Sequence, residues 1–74
     1  MINLTQEHLV LGRNIARIRI EYPITQELLA AAAGIHVRYL QKVEKGSPHV
    51  SVNVLICIRR ALHCDWKDLL RGIS

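Results

Sequence analysis

The side chains with the readiest chemistry in this 74-residue chain are four histidines, two cysteines and a set of basic residues crowded into its second half. Histidine and cysteine invite a metal reading, since His63 stands beside Cys64. No pair, however, repeats a ligand spacing such as C-x-x-C or H-E-x-x-H, in which the donors meet across one turn or on one helix face. A small buried thiol accounts for Cys64 without a metal. No nucleophile stands with a base and an orienting group, and no phosphate loop or carboxylate pair has the right setting. The chain is therefore not read as an enzyme, and neither a cofactor, a metal nor a small-molecule ligand is expected. If Cys57 and Cys64 share a helix they lie two turns apart, ~10 Å, too far for a disulfide. That fits a reducing compartment.

The basic residues are more informative. Lys and Arg number 10 against 6 Asp and Glu, for a net charge of +4. Residues 1–35 balance Arg13, Arg17 and Arg19 against Glu7, Glu21 and Glu27. Residues 36–74 carry Arg38, Lys42, Lys45, Arg59, Arg60, Lys67 and Arg71 against only Glu44, Asp65 and Asp68. A basic half points to a polyanionic partner, nucleic acid before membrane, with ordinary solubility charge as the plain alternative. No apolar run approaches the ~20 residues of a membrane span. The start of the chain lacks the basic and apolar stretches of a signal peptide. A cytoplasmic protein, associated with the nucleoid when bound to DNA, is the expectation.

The elements that must position these residues are helical. Thr5 is expected to cap a first helix, with Glu7 in the turn where the helix dipole favours an acid. Leu4, Leu11, Ile15, Ile18 and Tyr22 follow on one face, and Pro23 ends the helix. Thr25 caps a second helix of about nine residues, with Ile24 stapled on Leu28 and Gly34 as a left-handed cap. A third helix starts near His36 and carries Arg38, Gln41, Lys42 and Lys45 between apolar Tyr39, Leu40 and Val43, until Gly46-Ser47-Pro48 stops it. Ser51 caps a fourth, with Val52, Leu55, Ile58 and Leu62 at helical spacing. Asp65 caps a fifth, about 65–71, closed by Gly72. No stretch sustains period-two alternation, so the fold class is all-α, one five-helix domain over 1–74.

The stretch from Thr25 to Gly46 joins two short helices by a tight turn containing glycine, the helix-turn-helix plan. Ala30 must be small where the helices approach, Gly34 must tolerate a positive φ, and Ile35 must plug the turn into the core. Thr25-Gln26-x-x-Leu29-Ala30-x-x-Ala33-Gly34-Ile35, followed by Tyr39-Leu40-Gln41-Lys42-Val43-Glu44-Lys45-Gly46, resembles the motif of the Cro and lambda-repressor-like family, also called the xenobiotic-response-element family. The resemblance extends upstream to Leu11-Gly12-x-x-Ile15-x-x-Ile18-Arg19. Downstream it takes in Ser51-Val52-x-x-Leu55-x-x-Ile58-x-x-x-Leu62 and Leu69-Leu70. It covers roughly residues 9 to 71. Some positions depart from the pattern. His36 stands where Ser or Thr often caps, Leu28 and Cys57 where polar residues are usual, and His63 where glycine is usual.

The resemblance implies that helix three enters the DNA major groove and reads bases with Val37, Arg38, Gln41 and Lys42. Arg38 would present its fork to guanine O6 and N7, Val37 a methyl surface to thymine, Lys42 a charge to a second guanine or a phosphate. Gln41 would read adenine or face solvent. Gln26 would bond a phosphate and brace the reading side chains. His36, Tyr39, Lys45, Ser47, His49 and Ser51 are further phosphate candidates, His49 being read first as an exposed loop residue and only second as a specific contact. His36 is a poorer cap than Ser and is expected to point at a phosphate. Arg19 and Glu44 would form a structural ion pair between helix one and the end of helix three.

Trp66, Leu69, Leu70 and Ile73 are expected at a dimer seam, with capping of the monomer core as the alternative for Trp66 and Leu69. These readings converge on a sequence-specific, double-stranded DNA-binding transcriptional regulator of repressor or controller type, a homodimer on an inverted-repeat operator. The rival is an antitoxin or adaptor of the same fold whose main task is to bind a protein, a toxin or co-regulator, with Ile20, Leu28 and Cys57 as its contacts.

Overall fold

The protein is described here by a computed structural model covering residues 5–73. Five helices follow one another: α1 (Thr5–Glu21), α2 (Gln26–Ala33), α3 (Val37–Glu44), α4 (Val52–Leu62) and α5 (Trp66–Leu69). No strand occurs among the described residues. α1 packs on α3 and α5, and α2 packs on α3 and α4. Every helix contributes to one core, with Ile15, Leu29, Leu40, Ile58 and Leu69 each wholly buried.

Local chemistry sets most boundaries. Thr25 Oγ1 accepts from Leu28 N–H at 3.1 Å and opens α2. Gly34, at φ 72°, closes it. Gly34 N–H donates to Ala31 C=O and Ile35 N–H to Ala30 C=O, the paired bonds that satisfy a helix C-terminus. Ile35 thereby turns back onto the core. Ser51 Oγ accepts from Val54 N–H and opens α4. His63 ends α4 in the left-handed region, at φ 52°, with the bond pattern seen at Gly34. A side chain there costs roughly 1–2 kcal/mol. Stacking of the His63 ring on Tyr22, with centroids 6.1 Å apart, offsets part of that cost.

Several expectations are corrected. Thr5 is the first described residue of α1. Leu4 lies outside the described residues. Tyr22 falls beyond α1 and is 48% exposed, because the turn before Pro23 carries it off the apolar face. Leu28 is exposed and Leu29 is the buried residue of that turn, while Ile24 packs partly against the core. Val52 is exposed at the first position of α4. α5 stops at Leu69, short of 71. His36 does cap α3: its Nδ1 accepts from Arg38 N–H at 3.1 Å.

Candidate nucleic-acid interface

α3 is short and strongly two-faced. Leu40 and Val43 are buried beneath it, while Arg38, Gln41, Lys42 and Lys45 stand exposed above. These four outward residues line one shallow cleft of about 280 Å³. A second cleft, about 440 Å³, runs beside it between Ala16, Gln26, Gln41, Glu44 and Lys45. Among the described residues Arg38, Lys42 and Lys45 form no ion pair. Glu44, the only acidic residue of α3, is turned the other way.

What holds that face in place is a set of contacts to α1. Arg19 Nε donates to Glu44 Oε2 at 2.8 Å and its Nη2 to Oε1 at 3.2 Å. The third donor, Nη1, reaches Ile24 C=O at 3.1 Å, so one guanidinium ties α1, the α1–α2 turn and α3 together. Both side chains are largely buried, Arg19 at 15% and Glu44 at 6% exposure. Gly12 supplies the close approach: a Cβ there would lie 2.5 Å from Val43 O and 2.6 Å from Glu44 O. Sequence reasoning missed this role of Gly12, though its place one turn before the buried Ile15 was a usable sign.

The outer residues divide by what they already do. Gln26 Nε2 donates to Glu44 Oε1 at 3.0 Å, and Gln41 Nε2 approaches Gln26 Oε1 at 3.5 Å. Val37 is half-buried and packs partly against the core, unlike the three other expected readers. The Nδ1 of His36 accepts the cap bond, so its proton sits on Nε2, which stays outside the cap. The Tyr39 hydroxyl donates to His49 C=O at 2.9 Å and so fastens the loop after α3. Ser47 Oγ accepts from His49 N–H, and both Ser47 and Ser51 keep a hydroxyl proton to donate elsewhere.

At the far end, the two readings left open for Leu69, seam or monomer core, are separated. Leu69 is fully buried inside the monomer, because the single turn of α5 points it at α1. Trp66 and Leu70 remain 37% and 40% exposed, and Ile73 packs partly against the core. Arg59 lies over the Trp66 ring at 5.3 Å. Asn14, also unremarked in the sequence, anchors this end. Its Nδ2 donates to Leu69 C=O at 2.9 Å and to Arg71 C=O at 2.8 Å. Cys57 and Cys64 are free thiols, and burial, with added repulsion from Asp68, pushes the Cys64 thiol above its usual range. No group of three or more His, Cys, Asp and Glu able to hold a metal occurs among the described residues.

Comparison with known proteins supplies the context. A helix-turn-helix family model matches residues 15–69. The control protein C.BamHI of Bacillus amyloliquefaciens is 33% identical over 63 residues, spanning 84% of this chain and 78% of that protein. The restriction-modification controller protein C.AhdI from Aeromonas hydrophila superposes with a TM-score of 0.82 at 25% identity, covering 86% of this chain and 97% of that one. The clp gene regulator ClgR from C. glutamicum superposes at 0.81 with 28% identity, covering 85% and 81%.

Proposed function

Because the chain belongs to the helix-turn-helix family, we propose that it is a sequence-specific, double-stranded DNA-binding transcriptional regulator of the controller type, placing α3 in the major groove. The observation that carries this reading is the outward face of α3. Three cations without an ion-pair partner among the described residues and a glutamine stand there, while the one acid of the helix is neutralised from behind by Arg19. Arg38 reads guanine through its fork, and Lys42, one turn on, reaches a second guanine or a phosphate. Gln41 contributes a base contact, and Val37 offers what remains of its methyl surface. Gln26, the Nε2 side of His36, Lys45, Ser47, His49 and Ser51 face the phosphates, with Tyr39 holding their loop. Its place of work is where the DNA is, in the cytoplasm and on the nucleoid.

The same reading has the protein act as a homodimer on an inverted repeat. Trp66, Leu70 and the partly covered Ile73 form an apolar end beside α5, and Leu69 supports them from inside. Two half-sites one helical turn of DNA apart require such a dimer to hold its two copies of α3 about 34 Å apart. Relatives described as control proteins and gene regulators support the regulatory role. Selection from random duplexes tests the whole reading. Recovery of a two-fold repeated site is expected, and recovery of no shared sequence contradicts it.

A second reading, binding of a protein partner, is favoured by one observation. Ile20 and Leu28, 63% and 60% exposed, line a shallow apolar cleft with Pro23 and Ile24. If that cleft serves a partner, Ile20→Ser and Leu28→Ser leave the dimer mass and operator affinity unchanged. Loss of the dimer in either variant assigns the cleft to self-association instead.

A further inference from the structure

His63 holds a left-handed conformation that glycine would adopt without cost, and its ring lies 18° from parallel with that of Tyr22. A side chain kept at such a backbone angle points to a use for that side chain. The two rings line one cleft of about 480 Å³, which runs between the α1–α2 turn, the end of α2 and α4. Apolar groups make up most of the remaining lining: Ile24, Ala32, Ala33, Cys57 and Ala61. Three of these are alanines, whose methyl groups leave open the space that longer side chains would fill. Arg60 is the only permanently charged residue of the lining. It is exposed and enters no ion pair among the described residues. The neighbouring cleft of Ile20 and Leu28 also touches a guanidinium, but that of Arg19 is already committed to Glu44.

We propose that this cleft is a binding site for a small aromatic carboxylate, with the ring against Tyr22 and His63 and the carboxylate on the Arg60 guanidinium. The ligand class follows from complementarity. A guanidinium offers a planar fork of donors that grips a carboxylate with two bonds. Near-parallel rings and alanine methyls accept a flat apolar body, and aromatic contact adds to the gain from burial. No acidic side chain lines the cleft to repel an anion or to draw a cation. Its volume falls within the range of small-molecule sites, about 300–1,000 Å³. From the sequence no such ligand is expected, because the lining comes from three separated segments, 22–24, 32–33 and 57–63, that only the fold assembles. The cleft shares no lining residue with the two clefts on α3, so its occupancy does not depend on the DNA reading proposed above.

The test follows amide chemical shifts of the isotope-labelled chain during titration with naphthoate, with neutral naphthamide and with an acetylated tetrapeptide ending in tryptophan. Naphthoate is expected to move the amides of Ile24, Ala32, Ala61 and His63 with a dissociation constant of about 1 mM, ordinary for a ligand of that size. It binds about fivefold more tightly than naphthamide, and Arg60→Gln removes that difference. His63→Gly weakens naphthoate about fivefold while the thermal midpoint holds or rises, because glycine relieves the backbone as the ring is lost. Ala32→Leu, at an exposed helical position that accepts leucine, fills the cleft and abolishes binding. Equal affinity for naphthoate and naphthamide overturns the proposal, as does binding that survives His63→Gly and Ala32→Leu unchanged. So does the absence of any shift at these amides in about 10 mM naphthoate. Tighter binding of the peptide than of naphthoate assigns the cleft to a protein partner, and cleft amides that move on dilution alone assign it to a second copy. Either result overturns the proposal.

Discussion

Arg19 on α1 and Glu44 at the end of α3 are joined by two parallel hydrogen bonds, at 2.8 and 3.2 Å, inside the molecule rather than on its surface. Surface pairs contribute little, but breaking a buried pair strands a charge. Arg19→Ala is expected to cost about 3 kcal/mol in denaturant unfolding. Arg19→Lys should recover part of it, since an ammonium supplies the charge without the fork. Equal midpoints for wild type and Arg19→Ala contradict the account.

Gly12→Ala places a methyl against the backbone carbonyls of Val43 and Glu44, which cannot step aside as a flexible side chain would. A loss of about 1–3 kcal/mol is expected, read as a thermal midpoint lower by roughly 5–15 °C. Operator affinity should fall as well, because the displaced element is α3. An unchanged midpoint would show that the helices are not in contact there.

Much of this architecture is local and was legible in the sequence. Thr25, Gly34 and Ser51 announce helix ends because capping chemistry depends on a few adjacent residues. The Arg19–Glu44 pair was implied by family resemblance, not by spacing, since 25 residues separate the partners. Leu69 was left between seam and core because a four-residue helix shows no periodicity from which to choose its inner face. Gly12 and Asn14 were passed over for a related reason. A glycine and an asparagine in a helix look like neutral or solvent-facing positions until the partner backbone is known. The Gln26–Gln41 link, likewise, exists only because α2 and α3 are brought side by side.

Asn14 donates to two carbonyls at the end of α5, and Asn14→Ala leaves both without that donor. The expected cost is about 1–3 kcal/mol in urea unfolding. Because the 69–73 segment is then released from α1, the proposed dimer should also dissociate at higher protein concentration in sedimentation runs. Loss of stability without any change in association would separate Asn14 from the seam.

Thiol reactivity should report the two cysteines separately. Burial, with Asp68 and Asp65 adding negative charge against Arg59, raises the Cys64 pKa, so less of it is thiolate at any pH below that value. At pH 8 an alkylating reagent is expected to modify exposed Cys57 first, with Cys64 slower by about tenfold. Raising the pH or unfolding the chain should narrow the gap. Equal rates in the folded protein at pH 8 contradict it.

The central claim is that α3 reads sequence through its exposed face, and Arg38→Ala tests it most directly. The measurement is the affinity of wild type and Arg38→Ala for the selected operator and for a set of single-base variants of it, at one salt concentration. The account predicts a loss of about 1–3 kcal/mol on the operator, with the penalty for changing one guanine largely abolished. An equal loss on every duplex, with all base preferences retained, would make Arg38 a phosphate contact and contradict the claim.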